Sequence, residues 1–247
     1  YTPYLSSAQE YCYRNKRENY TSVYYGGSTR NLFSEGEGWL DGQVITEEGP
    51  VSKSVSLPNI YSGSINAYFE IAVAGVPANQ AISSVPHHLK VEFLGQVRID
   101  KTYIGYQVVA ETVSLPSSSL TSSVQFSFTS NDNTQPDVPD RNAVSYINIK
   151  YPHTWDFEDL NYFEFYLPVN YVAEKDYVEI TNFNTSTSAV IYDLTNNERI
   201  IAENSGGVLK ALINHTDSER FLAITNQSGL KSVDRITKVS SDNRFTD

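Results

Sequence analysis

Three aspartates in one polar loop are the side chains of this chain best suited to hold a metal ion. Asp132, Asp137 and Asp140 lie within Thr129–Arg141, a stretch made mostly of Ser, Thr, Asn, Asp, Gln and Pro residues, which is typical of a loop. Because Ca²⁺ takes several oxygen ligands, including carboxylates and carbonyls, this loop is a candidate calcium site. The spacing does not match an EF-hand loop, and a solvated acidic loop without a metal is the alternative. No other cofactor is predicted.

Two tryptophans, Trp39 and Trp155, are candidate binding residues for a carbohydrate. Together with surface tyrosines they would offer flat rings on which a sugar can stack, as in carbohydrate-binding modules. Tyrosine suits such a surface because its ring packs while its hydroxyl stays hydrated, and the chain contains 18 Tyr against 11 Phe. Aromatic residues of a β protein also fill the core, and this alternative stays open for both tryptophans.

The sequence contains no recognisable combination of nucleophile, base and orienting group. Cys12 is the only cysteine, and a lone thiol between two tyrosines is typical of a small buried hydrophobic residue. His87 and His88 are adjacent, so on a strand they point to opposite faces and cannot chelate one ion as a pair. The acidic stretch 155–159 is typical of a solvated corner, because glycosidase carboxylates are recognised by their separation across a cleft. We therefore predict no catalytic residue in this chain.

Charge and hydropathy limit the partners. The formal net charge is -11, so nucleic acid and anionic membrane surfaces are not expected to bind. No apolar run approaches the roughly 20 residues of a spanning helix, so no membrane span is predicted. The abundance of Ser, Thr, Asn and Tyr with a single cysteine is typical of an exported bacterial protein. We therefore expect a secreted protein or one at the outer cell surface.

The elements that would position these residues are strands. Apolar and polar residues alternate over His87–Val97, Tyr103–Val113, Val124–Thr129 and Val144–Tyr151, and each run is bounded by Gly, Pro, Ser or Asn residues. A period of two places one set of side chains on a buried face and the other in water. Half-buried antiparallel strands in close succession, without a helical segment between them, predict an all-β fold of the β-sandwich or jelly-roll type.

The chain divides into three predicted parts. Residues 1–34 are polar and tyrosine-rich, and predict an irregular leading segment with one strand. Residues 35–170 contain the long alternating runs and predict the sandwich domain. Residues 171–247 contain a second set of short strands, which predicts a smaller β module that leads to a further C-terminal domain.

Several motifs occur in an order that resembles a known family. They are Glu35–Trp39, His87–Gly95, Val144–Pro152, Phe163–Phe165, Val190–Asn196 and Ile236–Asn243. From about residue 32 to the end, this order resembles the non-catalytic N-terminal region of gingipain-type secreted cysteine peptidases. The similarity is greatest to the signal-cleaving sortase group of the type IX secretion system of Bacteroidetes.

The resemblance implies a supporting role. In that family the catalytic histidine and cysteine belong to a caspase-like α/β domain that follows this region, and no position of this chain matches them. The implied role is to pack on, position or regulate the chain's own C-terminal peptidase domain, and to help dock the enzyme to cell-surface or secretion components. The chain itself is then not an enzyme. The alternative hypothesis is an extracellular carbohydrate-binding β-sandwich module.

Overall fold

The fold consists almost entirely of strands. The computed structural model describes residues 8–26, 35–77, 85–130, 139–169, 175–226 and 228. The strands are β1 (Cys12–Asn19), β2 (Val23–Tyr25), β3 (Gly38–Leu40), β4 (Val51–Ser56), β5 (Asn66–Gly75), β6 (Pro86–Phe93), β7 (Gln96–Ile104), β8 (Val108–Pro116), β9 (Ser123–Ser130), β10 (Asn142–His153), β11 (Asp156–Leu160), β12 (Tyr162–Leu167), β13 (Lys175–Phe183), β14 (Ala189–Asp193), β15 (Glu198–Ser205), β16 (Val208–Asn214) and β17 (Arg220–Thr225).

Helical structure is nearly absent from these ranges. A short 3-10 turn, Ser117–Ser119, follows β8, and the described residues contain no α-helix. Within the same residues, no helix has both the length and the apolar character that a membrane crossing requires. The predicted all-β fold class is confirmed.

The larger of two compact units comprises Gln9–Asp156 and Phe165–Val169, and is called the larger module here. One of its sheets has the strand order β12-β1-β10-β5-β8, and the other has the order β4-β9-β6-β7. All pairings between these strands for which a register is defined are antiparallel. The main core contains side chains from both sheets, among them Phe69 of β5, Phe93 of β6 and Phe126 of β9. The larger module is therefore a β-sandwich.

Strand β1 lies inside the segment that the sequence predicts to be largely irregular. It pairs with β10 along its whole length, from Cys12 opposite His153 to Asn19 opposite Tyr146. Arg14, Lys16 and Glu18 take the positions of this strand that share a face with buried residues of β10. Long charged side chains can cover apolar surface with their methylene stems. For this reason the strand lacks the apolar alternation that would have revealed it.

The run Tyr103–Val113, predicted as one continuous strand, is two strands in the structure. Strand β7 ends at Ile104, and β8 begins at Val108. Gly105 between them has φ +61°, a left-handed conformation that glycine adopts without steric cost. Its N–H donates to the Val85 carbonyl at 2.7 Å. Strand β7 pairs with β6 and β8 pairs with β5, so this turn takes the chain from one sheet of the sandwich to the other.

Within the described residues, the smaller module comprises Ala8 and residues 157–164, 175–226 and 228. Its strand order is β11-β13-β16-β15-β14-β17. Part of the predicted solvated corner is strand β11, because Phe157 is fully buried and stacks on Phe163 with ring centroids 4.0 Å apart. An ion pair between Asp176 and Arg220 is also buried in this module.

Candidate functional site

Trp39 is exposed on a small two-stranded sheet. It lies on β3 directly opposite Tyr24 of β2, and the two rings meet edge to face with centroids 5.7 Å apart. The Trp39 side chain is 60% exposed. Tyr24 Oη donates a hydrogen bond to Glu37 Oε1 at 2.6 Å, which raises the pKa of Tyr24. The pair presents an open aromatic surface next to a carboxylate.

Trp155 is a core residue. It is only 8% exposed, and its ring packs edge to face against Phe165 with centroids 5.6 Å apart. Its Nε1–H donates to the Gln9 carbonyl at 2.5 Å, so both its apolar ring and its polar edge have partners inside the larger module. Of the two predicted stacking residues, only Trp39 presents a ring to solvent.

The predicted calcium loop lies mostly outside the described residues, which do not include Asp132 or Asp137. Asp140 is described and buried. Its Oδ1 contacts His87 Nδ1 at 2.6 Å, and its Oδ2 accepts a hydrogen bond from the His88 backbone N–H at 2.9 Å. Among the described residues, no three or more His, Cys, Asp or Glu side chains are grouped as metal ligands. A calcium ion in this loop stays a sequence prediction.

Asp140 belongs to a buried polar network at the end of the sandwich core. Asn142 Nδ2 donates to Asp140 Oδ1 at 2.9 Å and to Ser130 Oγ at 2.6 Å, and Tyr103 Oη donates to the Asn142 amide oxygen. His87 Nε2 lies 3.0 Å from the Gly105 carbonyl. Both ring nitrogens of His87 therefore face oxygen atoms, one of the Asp140 carboxylate and one of the Gly105 backbone.

The electrostatics of this network favour an ionised Asp140. Burial alone would raise the pKa of its carboxyl group, but hydrogen bonds from His87, the His88 backbone and Ser130 outweigh this effect and lower the pKa. Burial also raises the pKa of Tyr103. Because these side chains are buried and bonded to one another, the network is suited to holding the strand ends together rather than to contacting a substrate.

Cys12 is not placed as a nucleophile. It is fully buried, and its Sγ approaches the His153 backbone carbonyl at 3.7 Å rather than the imidazole. Burial raises the pKa of the Cys12 thiol, whereas a reactive cysteine needs a lowered pKa, so that the thiolate is present, and access to solvent. His153 Nδ1 is directed to the Thr154 carbonyl at 2.5 Å. The two side chains do not form a cysteine–histidine pair.

A large polar and aromatic surface covers the outward side of the β12-β1-β10-β5-β8 sheet. We call it the outer face and define it by two cross-strand rows and the tyrosines around them. One row contains Asn15, Lys150, Tyr68 and Ser114, and the next contains Arg17, Asn148, Glu70 and Thr112. All eight side chains are half-buried or exposed. The alternate residues of β5 and β10 point into the core.

Five tyrosines form a connected cluster at one end of the outer face. Tyr61 stacks on Tyr11 at 5.2 Å between ring centroids, Tyr11 meets Tyr13 edge to face at 5.5 Å, and Tyr13 lies 6.5 Å from Tyr68. The fifth member is Tyr166. Lys150 Nζ joins it to the others, since the ammonium group lies 5.1 Å from the Tyr13 ring and 4.5 Å from the Tyr166 ring. We call this group the tyrosine cluster.

The charged side chains of the second row contact rings and neutral polar groups of the same surface. The Arg17 guanidinium lies 3.6 Å from the centre of the Tyr146 ring, and Arg17 Nε–H donates to Asn19 Oδ1 at 2.8 Å. Tyr146 Oη donates to Glu70 Oε1 at 2.7 Å. Burial and this hydrogen bond raise the pKa of Tyr146. The two cations and the one carboxylate of the outer face thus each contact a ring or a polar side chain of the same surface.

The sequence indicates the tyrosines of the outer face but not their assembly. Tyr11 and Tyr13 stand out in a tyrosine-rich segment, while Tyr61, Tyr68 and Tyr166 are scattered along the chain. They meet only because β1 is inserted between β10 and β12. The alternation of β5 and β10 indicates one outward side chain in two, which is the signal that would have selected Tyr68, Glu70, Asn148 and Lys150.

No protein-family model and no curated protein sequence matches the chain, whereas solved structures are similar to it in fold. Dimeric latent PorU from Porphyromonas gingivalis matches 87% of this chain with a TM-score of 0.59 and 9% sequence identity. A CBM36-1 domain of a multidomain xylanase from the hindgut metagenome of Trinervitermes trinervoides matches 55% of this chain and 96% of its own length, at 13% identity and a TM-score of 0.32. A TM-score of 0.32 is too low for the match with the CBM36-1 domain to support an argument.

The similarity to PorU concerns the fold. The chain covers 20% of the PorU chain, so most of that protein has no counterpart here. At 9% identity the match carries no information about individual side chains. From the strand order, the sandwich core and this match together, the chain has a PorU-like all-β fold.

Proposed function

We propose that this chain is a non-catalytic β region of a secreted or surface cysteine peptidase of the gingipain type, which supports or positions a catalytic domain outside the chain. The observation that carries the proposal is the PorU-like fold over 87% of the chain, together with the ordered motifs that resemble the same family. Its partners would be the chain's own C-terminal peptidase domain and components of the cell surface or the secretion machinery.

The position of Cys12 agrees with a non-catalytic role of this chain. It is the only cysteine of the chain, and it is buried with a raised thiol pKa. Cysteine peptidase chemistry requires a thiolate beside a histidine that acts as its base. The catalytic pair would therefore have to come from outside this chain.

The first test is an activity measurement on the purified chain and on its Cys12→Ala variant. We expect neither protein to cleave fluorogenic peptides with Arg, Lys or small residues at the cleavage site. Cleavage by the original chain that disappears in Cys12→Ala would contradict the proposal, because the catalytic residue would then lie within this chain.

The second test reads the coding sequence downstream of Asp247. The proposal expects an α/β domain with a glycine-flanked histidine and a following cysteine. A coding sequence without such a domain would contradict the peptidase assignment, whatever the outcome of the activity measurement.

A second candidate function is extracellular carbohydrate binding through Trp39. The exposed ring of Trp39 beside Tyr24 and Glu37 favours it, since an aromatic plane next to a hydrogen-bond acceptor suits a sugar ring. The test is native gel electrophoresis in gels that contain soluble xylan, mannan or β-1,3-glucan. Retardation that is lost in Trp39→Ala would support this function, and equal retardation of both proteins would exclude Trp39 as the binding residue.

A further inference from the structure

We propose that the outer face of the larger module binds a neutral polysaccharide, with Tyr68 as its principal stacking residue. The inference takes its ligand class from the carbohydrate-binding candidate above, but it places the site on a different surface and does not depend on the peptidase assignment. It rests on three properties of the outer face: an exposed tyrosine ring among half-buried ones, hydrogen-bonding groups beside it, and charged groups that already contact rings or polar side chains.

The rings provide a stacking surface. Tyr68 is 42% exposed and lies at the edge of the tyrosine cluster, where it is 6.5 Å from Tyr13. Tyr13 is almost fully buried by its neighbours and holds the cluster together. Tyr11, Tyr61 and Tyr166 are half-buried. A sugar ring has an apolar C–H surface that packs on such rings, and tyrosine loses little conformational freedom in the contact because it has only two side-chain torsions.

Hydrogen-bonding groups lie in register beside these rings. Tyr68 is flanked across the sheet by Lys150 on β10 and Ser114 on β8. The next row places Asn148, Glu70 and Thr112 side by side. Amide and hydroxyl groups both donate to and accept from sugar hydroxyls, and a carboxylate accepts from them, so an extended sugar chain lying across the strands would meet rings and polar groups together.

The charges of the outer face favour a neutral ligand. Arg17 lies over the Tyr146 ring and donates to Asn19, Glu70 accepts from Tyr146, and Lys150 lies between two tyrosine rings. An anionic chain would have to draw Lys150 and Arg17 away from these partners and would approach Glu70. A polymer that carries only hydroxyl groups needs no such rearrangement.

The same features argue against a protein partner. The centres of protein interfaces are depleted in Lys, Glu and Ser, whereas Lys150, Glu70 and Ser114 lie in the middle rows of this surface. A protein that covered the outer face would have to desolvate these groups together. A hydrated glycan can contact them while they keep part of their water.

The experiment is affinity electrophoresis of the complete chain in native gels that contain xylan, mannan, β-1,3-glucan or, as the anionic comparison, polygalacturonate. The variants are Tyr68→Ala, Tyr68→Phe and Glu70→Gln. The matched control is Tyr24→Ala, since Tyr24 is a similarly exposed strand tyrosine, at 51%, on the separate β2-β3 sheet. Trp39→Ala distinguishes this surface from the Trp39 site.

We expect at least one neutral polysaccharide to retard the original chain. Tyr68→Ala should bind it roughly tenfold more weakly or worse, as expected for loss of an aromatic anchor. Glu70→Gln should bind it several-fold more weakly. Tyr68→Phe, Tyr24→Ala and Trp39→Ala should bind as the original chain does, because the ring is retained or lies elsewhere. Urea unfolding of each variant would show that the fold is intact.

Three results would overturn the inference. Retardation that is unchanged in Tyr68→Ala but lost in Trp39→Ala would assign sugar binding to Trp39 alone. Retardation by polygalacturonate only would refute a neutral ligand. No retardation of the original chain by any of the four polysaccharides would refute sugar binding at both surfaces, and would leave the peptidase-region proposal to its own tests.

Discussion

The two faces of the β12-β1-β10-β5-β8 sheet are built from the same strands and have opposite character. On β5, Phe69 points inward and contacts Phe93 and Phe126 of the opposite sheet at 5.0 and 6.3 Å between ring centroids. Its neighbour Tyr68 points outward and is 42% exposed. One residue of displacement thus separates a side chain that stabilises the sandwich from one that is available for binding.

The difference lies in what each face contributes to the free energy of folding. The inner face removes apolar side chains from water, which is the largest favourable contribution to folding. The contacts of the outer face, such as Arg17 over Tyr146, form in water and contribute little. Substitutions on the outer face should therefore change binding more than stability, and those on the inner face should do the reverse.

The strongest test of this contrast substitutes two adjacent residues of β5. Phe69→Ala should lower the free energy of unfolding by about 3–5 kcal/mol, because it leaves a cavity between Phe93 and Phe126. Tyr68→Ala should lower it by less than about 0.5 kcal/mol, the usual range for surface positions. Urea unfolding followed by circular dichroism measures both. Comparable losses in the two variants would refute the separation of roles.

A second test adds a methyl group at the polar end of the inner face. A Cβ at Gly75 would clash with the Gly105 carbonyl and would lie 2.6 Å from His87 Nε2. We expect Gly75→Ala to cost about 1–3 kcal/mol or more, because neither group can move without breaking the buried network. Gly63→Ala is the control, since its nearest contact is 3.7 Å away. In thermal unfolding, Gly75→Ala should melt at a lower temperature than Gly63→Ala. Equal melting temperatures would show that the buried network can shift at little cost in stability.

The smallest expected effect concerns pH. Because the pKa of Asp140 is lowered in the folded protein, its contribution is fully present above the ordinary value of about 3.9 and is lost as the pH falls through the lowered value. Asp140→Asn should therefore be less stable than the original chain by about 1–3 kcal/mol at pH 7, and this difference should shrink toward pH 3.

Urea unfolding at pH 7, 5, 4 and 3 checks this expectation. His87, Glu47 and Tyr103 also face Asp140 and are present in both proteins, so the difference between the proteins reports Asp140 together with its interactions with these groups. A stability difference that is the same at every pH would show that Asp140 is not ionised in the folded state.

The alternation of apolar and polar residues predicted strands correctly where the strands are half-buried and their inward residues are apolar. The predicted run Val124–Thr129 corresponds to β9 (Ser123–Ser130), and the predicted run Val144–Tyr151 lies within β10 (Asn142–His153). The pattern failed at β1, where charged side chains occupy half-buried positions, and at Gly105, where a turn interrupts an unbroken alternation. Alternation reports burial of apolar groups and does not report where the backbone turns.

For the candidate sites too, the sequence identified residues by type, and the structure decided which of them are exposed. The sequence selected Trp39 and Trp155 by residue type, and burial then separated the exposed ring from the core ring. His87 and His88 behave as an adjacent pair on a strand should, because His87 is fully buried while His88 lies near the surface beside Asp100. No local signal distinguishes Trp39 from Trp155, since packing of a ring depends on residues far away in the chain.

The amino-acid sequence by itself determined the all-β class, the acidic net charge and the lack of a reactive cysteine context, because net charge follows from composition alone and strand alternation and motifs are read within a few residues. Only the tertiary structure decided that β1 lies between β10 and β12, and hence that Tyr13, Tyr68, Lys150 and Tyr166 share one surface. Strand order is set by the joint burial of both sheets' inner faces. That is a property of the whole larger module, and no single segment carries it.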